Sequence, residues 1–328
     1  MAANVRHPSS LKGHRPGFNL RGTKILVAPS SFAEVDPTPM RRLIENGCEV
    51  VTNPFKRKLS QEELLRLLAN GVEGLIAGLE PLDRTVLERS NLKVISRCGS
   101  GLSNVDLEAA RDLKIAVFST PDAPTTAVAE LTVGALLSLL RAIPAKDRAL
   151  RRGEWSKGVG QQIAGKVAAV IGFGRIGQRV GQLLTAFGAE VIAVDPALAG
   201  EVNRVPIVTF EEALKRADII TFHCSGDSCL IGESEFLQMK PGVYLLNAAR
   251  GKVVDEEALI QALESKRVAG AWLDTFSEEP YRGPLLRYEQ VILTPHIGSY
   301  TLECRKEMEI EAVENLLRGL RQLEKVSA

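Results

Sequence analysis

The chain has 328 residues, which is enough for about two domains of ordinary size. Its 41 Lys and Arg nearly balance its 40 Asp and Glu, which argues against a general nucleic-acid binder because such proteins carry a basic surplus. Hydrophobic residues make up 45% of the chain, which excludes disorder over most of its length. No apolar run approaches the ~20 residues that a membrane span needs. The five cysteines and four histidines favour neither a disulfide framework nor a metal site.

Residues 1–22 form a basic N-terminal segment, with four Lys or Arg and no acid before Glu34. Pro and Gly interrupt it, and it lacks the apolar stretch of a secretory signal. We expect a flexible or strap-like tail, with an organelle-targeting peptide as the alternative. Since neither a secretory signal nor a membrane span is visible, the expected location is the cytoplasm.

The next part of the chain alternates short apolar strands with polar helical stretches. Strands are predicted at 24–29, 49–53, 74–78, 92–96 and 115–119, with helices between them such as 61–70 and 106–112. This alternation predicts a parallel sheet covered by helices on both faces. A long apolar helix follows at 126–140, which we expect either to cross between domains or to pack in a dimer interface.

A second alternation begins near Lys166. Its predicted strands are 167–172, 190–195, 218–223, 243–248, 268–274 and 291–295, and a final helix is predicted at about 302–324. The fold class is therefore α/β, with two doubly wound parallel-sheet domains of the Rossmann or flavodoxin type and a cleft between them. The final helix is expected to pack back on the first domain.

A glycine-rich turn follows the first strand of the second alternation. It reads Gly172-Phe173-Gly174-Arg175-Ile176-Gly177, which is G-x-G-x-x-G in the strand–turn–helix context that a dinucleotide site requires. The first glycine allows the tight turn, the second a close approach of pyrophosphate, and the third close packing of helix on strand. The helix N-terminus would supply free N–H groups to the phosphates.

Asp195 stands at the end of the next strand, 18 residues beyond Gly177. That is the position of a carboxylate that accepts hydrogen bonds from the adenosine ribose. No basic residue follows before Arg204 to hold a 2′-phosphate, so NAD is favoured over NADP. The alternative is a purely structural glycine turn that Asp195 caps.

Polar motifs follow three later strands: NAARG, DTFSEEP and TPHIGS, which carry Arg250, Glu279 and His296 respectively. In an open α/β sheet the carboxyl ends of the strands line the ligand crevice. The three side chains are therefore expected to converge near the reacting end of the cofactor. The alternative for each is ordinary: a surface ion pair, a solvated acid and a core histidine.

Together with VISRCGSGLSNVDLEAA and the TP…AVAEL segment of the first half, these motifs resemble the NAD-dependent D-2-hydroxyacid dehydrogenase family over about residues 24–320. The chain is most similar to the phosphoglycerate dehydrogenase branch, in the short form without an appended regulatory domain. The resemblance implies a substrate-binding domain at 23–121 plus 299–328, an NAD-binding domain at 122–298, NAD as cofactor, a homodimer and a small anionic substrate.

The resemblance also implies roles that fit the chemistry of each residue. Arg250 would hold the substrate carboxylate and carbonyl through charge-assisted hydrogen bonds. His296 would exchange a proton with the substrate oxygen, and Glu279 would orient the imidazole. The residues implied to bind the substrate are Gly99, Ser100, Gly101, Arg250 and His296, the small loop residues exposing backbone N–H groups that suit a carboxylate.

Cofactor contacts are implied for a larger set, in which Asp274 would accept from the nicotinamide amide. The set is Ser100, Val128, Gly172, Gly174, Arg175, Ile176, Gly177, Asp195, His223, Ser225, Ala248, Ala249, Asp274 and Gly298. The chain departs from the family where Ser225-Gly226 begins a shortened segment, and at Ser103. Pro124 in place of an Asn and Trp272 in place of a small residue are expected to reshape the substrate pocket.

The sequence thus predicts an NAD-dependent enzyme that moves hydride at C2 of a D-2-hydroxy or 2-keto acid. The first candidate substrate is 3-phosphoglycerate, at the entry to serine synthesis; hydroxypyruvate, glyoxylate and a phosphonate analogue are the alternatives. A different class also fits: a dinucleotide-sensing scaffold like the transcriptional corepressors of this fold. Turnover of keto acids separates the two, because the corepressors can keep the same three residues.

Overall fold

A computed structural model describes residues 20–155, 157–226 and 228–327, with side chains to Leu323 in the last helix. Most of the predicted basic tail, residues 1–19, therefore lies outside the described residues. Leu20, near the end of that segment, is buried in a hydrophobic cluster with Ile25 of the first strand and Leu320 of the last helix.

The first sheet has five parallel strands in the order β2-β1-β3-β4-β5. Its elements are β1 (Lys24–Val27), α1 (Thr38–Glu45), β2 (Glu49–Thr52), α2 (Gln61–Leu68), β3 (Val72–Ala77), α3 (Arg84–Glu88), β4 (Val94–Arg97), α4 (Leu107–Asp112) and β5 (Ala116–Ser119). Local chemistry sets the helix starts: at α2, Ser60 accepts from the backbone N–H of Glu63, whose carboxylate accepts from the N–H of Ser60.

The second sheet has six parallel strands in the order β13-β12-β11-β10-β6-β7. The chain reaches and builds it through α5 (Pro124–Leu140), α6 (Ile143–Arg151), β6 (Val167–Ile171), α7 (Arg175–Ala186), β7 (Glu190–Val194), the short hairpin β8 (Glu201–Val202) and β9 (Val205–Pro206), α8 (Phe210–Arg216), β10 (Ile219–Phe222), α9 (Glu233–Gln238), β11 (Val243–Asn247), α10 (Glu256–Glu264), β12 (Val268–Leu273), β13 (Val291–Leu293) and α11 (Leu302–Ser327). The prediction of two doubly wound parallel sheets is confirmed.

Helices cover both faces of each sheet. On the first sheet, Leu64 of α2 packs on one face, while Leu316 of α11 packs beside β1 on the other. On the second sheet, Leu259 of α10 and Leu136 of α5 belong to clusters on opposite faces. The chain therefore returns to its first sheet at the end, although the domain boundaries at 121/122 and 298/299 stay a prediction.

The apolar helix α5 packs against the second sheet of the same chain. Most of its buried apolar side chains pack in one cluster with Phe173, from the loop after β6, and with Trp272 of β12. Four of the exposed apolar side chains follow it, in α6 and the segment after α6: Ile143, Leu150, Trp155 and Val159. No single helix among the described residues has the length and apolar composition to cross a membrane; α5 and α6, bent by 59°, pass that test only as a pair.

Candidate active site

The carboxyl ends of both sheets open onto one cleft of about 830 Å³. Parallel strands present their carboxyl ends at the same edge, so loops distant in sequence meet there. The lining segments include 29–31, 78–80 and 97–101 from the first sheet, and 174–176, 223–225, 248–250 and 293–296 from the second.

The glycine loop between β6 and α7 is shaped for close approaches. Gly172 has φ +90°, and a Cβ there would lie 2.5 Å from the backbone of Cys224. A Cβ on Gly177 would lie 2.0 Å from the carbonyl oxygen of Gly172. Gly174 instead faces open space and begins α7 without a side-chain cap, which leaves the helix N–H groups free for an anion.

Asp195 lies beside this loop. Its Oδ2 accepts from the N–H of Phe173 at 2.9 Å, and its Oδ1 accepts from the N–H of Ala197 at 3.0 Å. The carboxylate is half-buried and keeps acceptor capacity for further hydroxyl donors, since each oxygen can take more than one bond. The capping role and the predicted ribose role are therefore compatible.

Most of the predicted cofactor residues line the cleft. Those that do are Ser100, Val128, Gly174, Arg175, Ile176, His223, Ser225, Ala248, Ala249, Asp274 and Gly298. Gly172, Gly177 and Asp195 are not among the residues that line it. Burial lowers the pKa of His223 to about 3, so its ring is neutral near pH 7, and its Nδ1 has no partner within the described chain. An orphaned ring nitrogen beside an uncapped helix N-terminus fits a bound dinucleotide.

His296 and Glu279 form a hydrogen-bonded pair. The imidazole Nδ1 lies 3.1 Å from one carboxylate oxygen and 3.2 Å from the other. Burial alone would raise the pKa of Glu279, but the hydrogen bond and the charge of His296 outweigh it and lower that pKa. With Nδ1 engaged, Nε2 is the nitrogen available to a ligand in the cleft.

Asp274 anchors the loop that carries His296. His296 has φ +53°, an uncommon conformation for a non-glycine residue. The buried Asp274 carboxylate accepts from the hydroxyl of Thr294 at 2.6 Å and from the N–H groups of Ile297 and Gly298 at 2.9 and 2.8 Å. Burial raises the pKa of Asp274 against these bonds. The predicted contact with nicotinamide stays a prediction.

The expectation that Trp272 reshapes the substrate pocket is wrong. Its ring is fully buried in the core cluster behind the sheet, and its Nε1–H donates to Thr294 at 2.9 Å. The indole is part of the support of the His296 loop and does not line the cleft. Pro124 does line the cleft, and the hydroxyl of Ser103 accepts from Arg250 at 3.3 Å.

Arg250 joins the two walls of the cleft. It leaves the end of β11, donates through Nη1 to the carbonyl of Ala249 at 2.7 Å, and lies against the glycine loop of the first sheet. A Cβ on Gly101 would be only 1.8 Å from Arg250 Nη2. The predicted substrate loop and the predicted substrate arginine are therefore in direct contact.

Four charged side chains of the described residues line the cleft although the sequence patterns did not single them out: Lys58, Glu80, Arg97 and Arg305. Two of them, Arg97 and Glu80, come at or just after the ends of the neighbouring strands β4 and β3. Arg97 ends β4, is 9% exposed, and its Nε has no hydrogen-bond partner in the described part of the chain. Burial lowers the pKa of Arg97 to about 10, which still leaves it charged. Glu80 is 2% exposed, and burial raises its pKa. The sequence contained information that could have identified Arg97 and Glu80, because both come at the ends of apolar strands, at the edge of the sheet where ligands bind.

The described residues contain no cluster of three His, Cys, Asp or Glu side chains placed to hold a metal ion. The site instead combines an anion-binding glycine turn, two arginines and a His–Glu pair, as in a nucleotide-dependent dehydrogenase. Residues 133–298 match the D-isomer specific 2-hydroxyacid dehydrogenases, NAD binding domain. The chain belongs to the D-isomer specific 2-hydroxyacid dehydrogenase family, and the resemblance seen in its motifs is confirmed.

The chain is also similar in sequence or structure to individual known proteins. The chain is 38% identical over 311 residues to D-3-phosphoglycerate dehydrogenase of Sus scrofa, covering 90% of this chain and 56% of that protein. It is 35% identical over 272 residues to hydroxypyruvate reductase of Thermotoga maritima, covering 80% and 89%. The crystal structure of the TT0316 protein of Thermus thermophilus matches with a TM-score of 0.83 at 35% identity, covering 92% and 97%. The chain thus spans about half the length of the phosphoglycerate dehydrogenases that it matches.

Proposed function

We propose that the protein transfers hydride between NAD and C2 of a small D-2-hydroxy acid or 2-keto acid. The observation that carries this proposal is the meeting of Arg250 with the 99–101 loop in the cleft that also holds the His296–Glu279 pair. A substrate carboxylate, a polarisable carbonyl and a proton donor are what such a reaction needs in one place.

The cofactor residues fit NAD. When bound, NAD supplies or accepts the hydride. The open face at Gly174 and the free N–H groups of α7 would hold its pyrophosphate, and Asp195 would take hydroxyls of the adenosine ribose. The negative charge of Asp195 would also repel the 2′-phosphate of NADP, which supports selection of NAD over NADP.

The remaining chemistry belongs to the side chains. Arg250 would bind the substrate carboxylate and draw electron density from the carbonyl. His296 would give its Nε2 proton to the substrate oxygen during reduction and take it back during oxidation. Glu279 holds the ring through Nδ1 and stabilises the protonated imidazole. In the corresponding oxidation the same groups act in reverse order.

The cleft suits an anionic substrate. Among the described residues, five cationic side chains line it (Lys58, Arg97, Arg175, Arg250 and Arg305) against the three carboxylates Glu80, Asp274 and Glu279. This excess supports a carboxylate substrate beside a pyrophosphate cofactor. The relatives support two candidates for the acid, 3-phosphoglycerate and hydroxypyruvate, which differ in one phosphoryl group.

The assembly we propose is a homodimer. Since α5 is buried within the chain, the support for it comes from the exposed apolar side chains of α6 and the following segment, such as Leu150 and Trp155. A cytoplasmic location stays a prediction.

The test is turnover of 2-keto acids with NADH, followed by the decrease in NADH absorbance, in wild type and His296→Ala. We expect wild-type turnover with at least one acid, and a loss of about 100-fold or more in kcat for the variant, as for removal of a general acid. NADH affinity, measured by fluorescence titration, should be unchanged. NADH binding without turnover of any acid would instead support a dinucleotide-sensing scaffold.

A further inference from the structure

The charged groups of the cleft divide into paired and unpaired ones. Arg305 is paired with Glu309 on its own helix, and Arg175 pairs with Asp122 at 2.5 Å. Arg97 takes part in none of the ion pairs between described residues, although it is almost fully buried. A buried guanidinium with an unused N–H in a ligand cleft points to a ligand group as its partner.

Glu80 and Arg97 come from neighbouring strands of the first sheet. β3 and β4 are adjacent, with Ala77 paired to Arg97, and Glu80 follows three residues after that pair. Its carboxylate turns back to accept from the N–H of Gly78 at 2.7 Å and lines the same cleft. The charges of Glu80 and Arg97 act on each other without a direct ion pair. The loop is held from behind by Asn104, whose amide donates to the carbonyl of Glu80 at 2.7 Å.

Arg97 and Glu80 need opposite hydrogen-bonding roles from a ligand: Arg97 needs an acceptor and Glu80 needs a donor. An arginine only donates hydrogen bonds, and an ionised carboxylate only accepts them. A hydroxyl does both, so one hydroxyl can satisfy Arg97 and Glu80 together. A phosphate dianion would satisfy Arg97 but would stand beside a buried carboxylate, which is costly where little water screens the repulsion. Exposed Lys58 also lines the cleft and its charge lowers the pKa of Glu80, but water screens this exposed ammonium more than the buried guanidinium of Arg97.

The spacing suits a short acid. Arg97 and Arg250 contact the same loop, at Gly99 and Gly101 respectively. The Cα atoms of these glycines are at most about 7 Å apart, because they are two residues apart. An acid whose carboxylate lies at Arg250 can therefore bring a group on its third carbon to Arg97, and Glu80 lines the same cleft.

We propose that Glu80 and Arg97 form a subsite for a hydroxyl on the third carbon of the substrate, and that Glu80 selects against its phosphate ester. The inference rests on the proposed function and deepens it: the preferred keto acid is hydroxypyruvate, and 3-phosphohydroxypyruvate is disfavoured. This choice departs from the prediction of 3-phosphoglycerate.

The experiment measures kcat/KM with NADH for hydroxypyruvate, 3-phosphohydroxypyruvate and pyruvate, which lacks the hydroxyl. Wild type should prefer hydroxypyruvate to its phosphate by at least about tenfold, the value of one hydrogen bond to a charged group. Glu80→Gln keeps an oxygen for the N–H of Gly78 and removes the negative charge. We expect it to lower that preference by about tenfold, because kcat/KM for the phosphate rises relative to kcat/KM for hydroxypyruvate.

The matched control is Glu88→Gln, the same change of charge on the exposed face of α3. It should leave all three values as in wild type. A wild-type preference for the phosphate, turnover of other keto acids only, or equal losses for all three acids in Glu80→Gln would each overturn the subsite while leaving the proposed function intact. Absence of turnover with every keto acid would overturn the proposed function itself.

Discussion

Replacing Gly101 with alanine should disable substrate binding without disturbing the fold. The added Cβ would lie 1.8 Å from Arg250 Nη2, whereas ordinary contact begins near 3.4 Å. The guanidinium must therefore move by roughly 1.6 Å, and a displacement of about 1 Å at a reacting site can cost about 100-fold in rate. Arg250 yields by rotating a flexible side chain, so the free energy of unfolding should change little.

The assay is kcat/KM for the best keto acid in Gly101→Ala and in Gly134→Ala. Gly134 lies within α5, where an added Cβ would meet no atom within 4 Å, so alanine there only improves helix propensity by up to about 1 kcal/mol. We expect a roughly 100-fold loss of kcat/KM for Gly101→Ala, mainly through KM, with NADH affinity and Tm close to those of wild type. Unchanged kcat/KM, or a loss equalled by Gly134→Ala, would refute the placement of Arg250.

Two further predictions concern the cofactor side. Asp195→Ala should weaken NADH binding in a fluorescence titration much more than NADPH binding; equal losses for the two cofactors would refute the ribose role. Burial lowers the pKa of His223 to about 3, so below about pH 6.5 the unfolded chain binds a proton that the folded chain excludes, and stability falls as the pH falls. The Tm of His223→Gln should therefore fall less than that of wild type between about pH 7 and about pH 4. Identical decreases in Tm would show that this ring does not set the loss of stability at low pH.

The sequence predicted the architecture because its signals are local. Apolar strands, alternating helices and the turn from Gly172 to Gly177 depend on neighbouring residues, and the resulting sheets place Arg250, Glu279 and His296 at one edge. Loop geometry does not follow from such patterns. The sequence places the indole at position 272 in the pocket, but whether a side chain at the end of a strand faces the cleft or the core depends on the register of the sheet.

Arg97 and Glu80 were missed for a related reason. A charged residue near a strand is usually solvated, and only the structure shows that both are buried in the cleft. Burial of a charge costs free energy that folding does not recover unless a partner is supplied.

The two glycines of the 99–101 loop explain how the cleft accommodates such charge. A Cβ on Gly99 would lie 1.3 Å from Arg97 Nη1, as a Cβ on Gly101 would meet Arg250. Each glycine thus admits one guanidinium to the backbone, one from each sheet. Two cations held on one short loop repel each other, and the charge of Arg250 contributes to the lowered pKa of Arg97. A ligand carboxylate at Arg250 offsets part of that repulsion, so the loop favours an anionic substrate while Arg97 stays available to the hydroxyl on the third carbon.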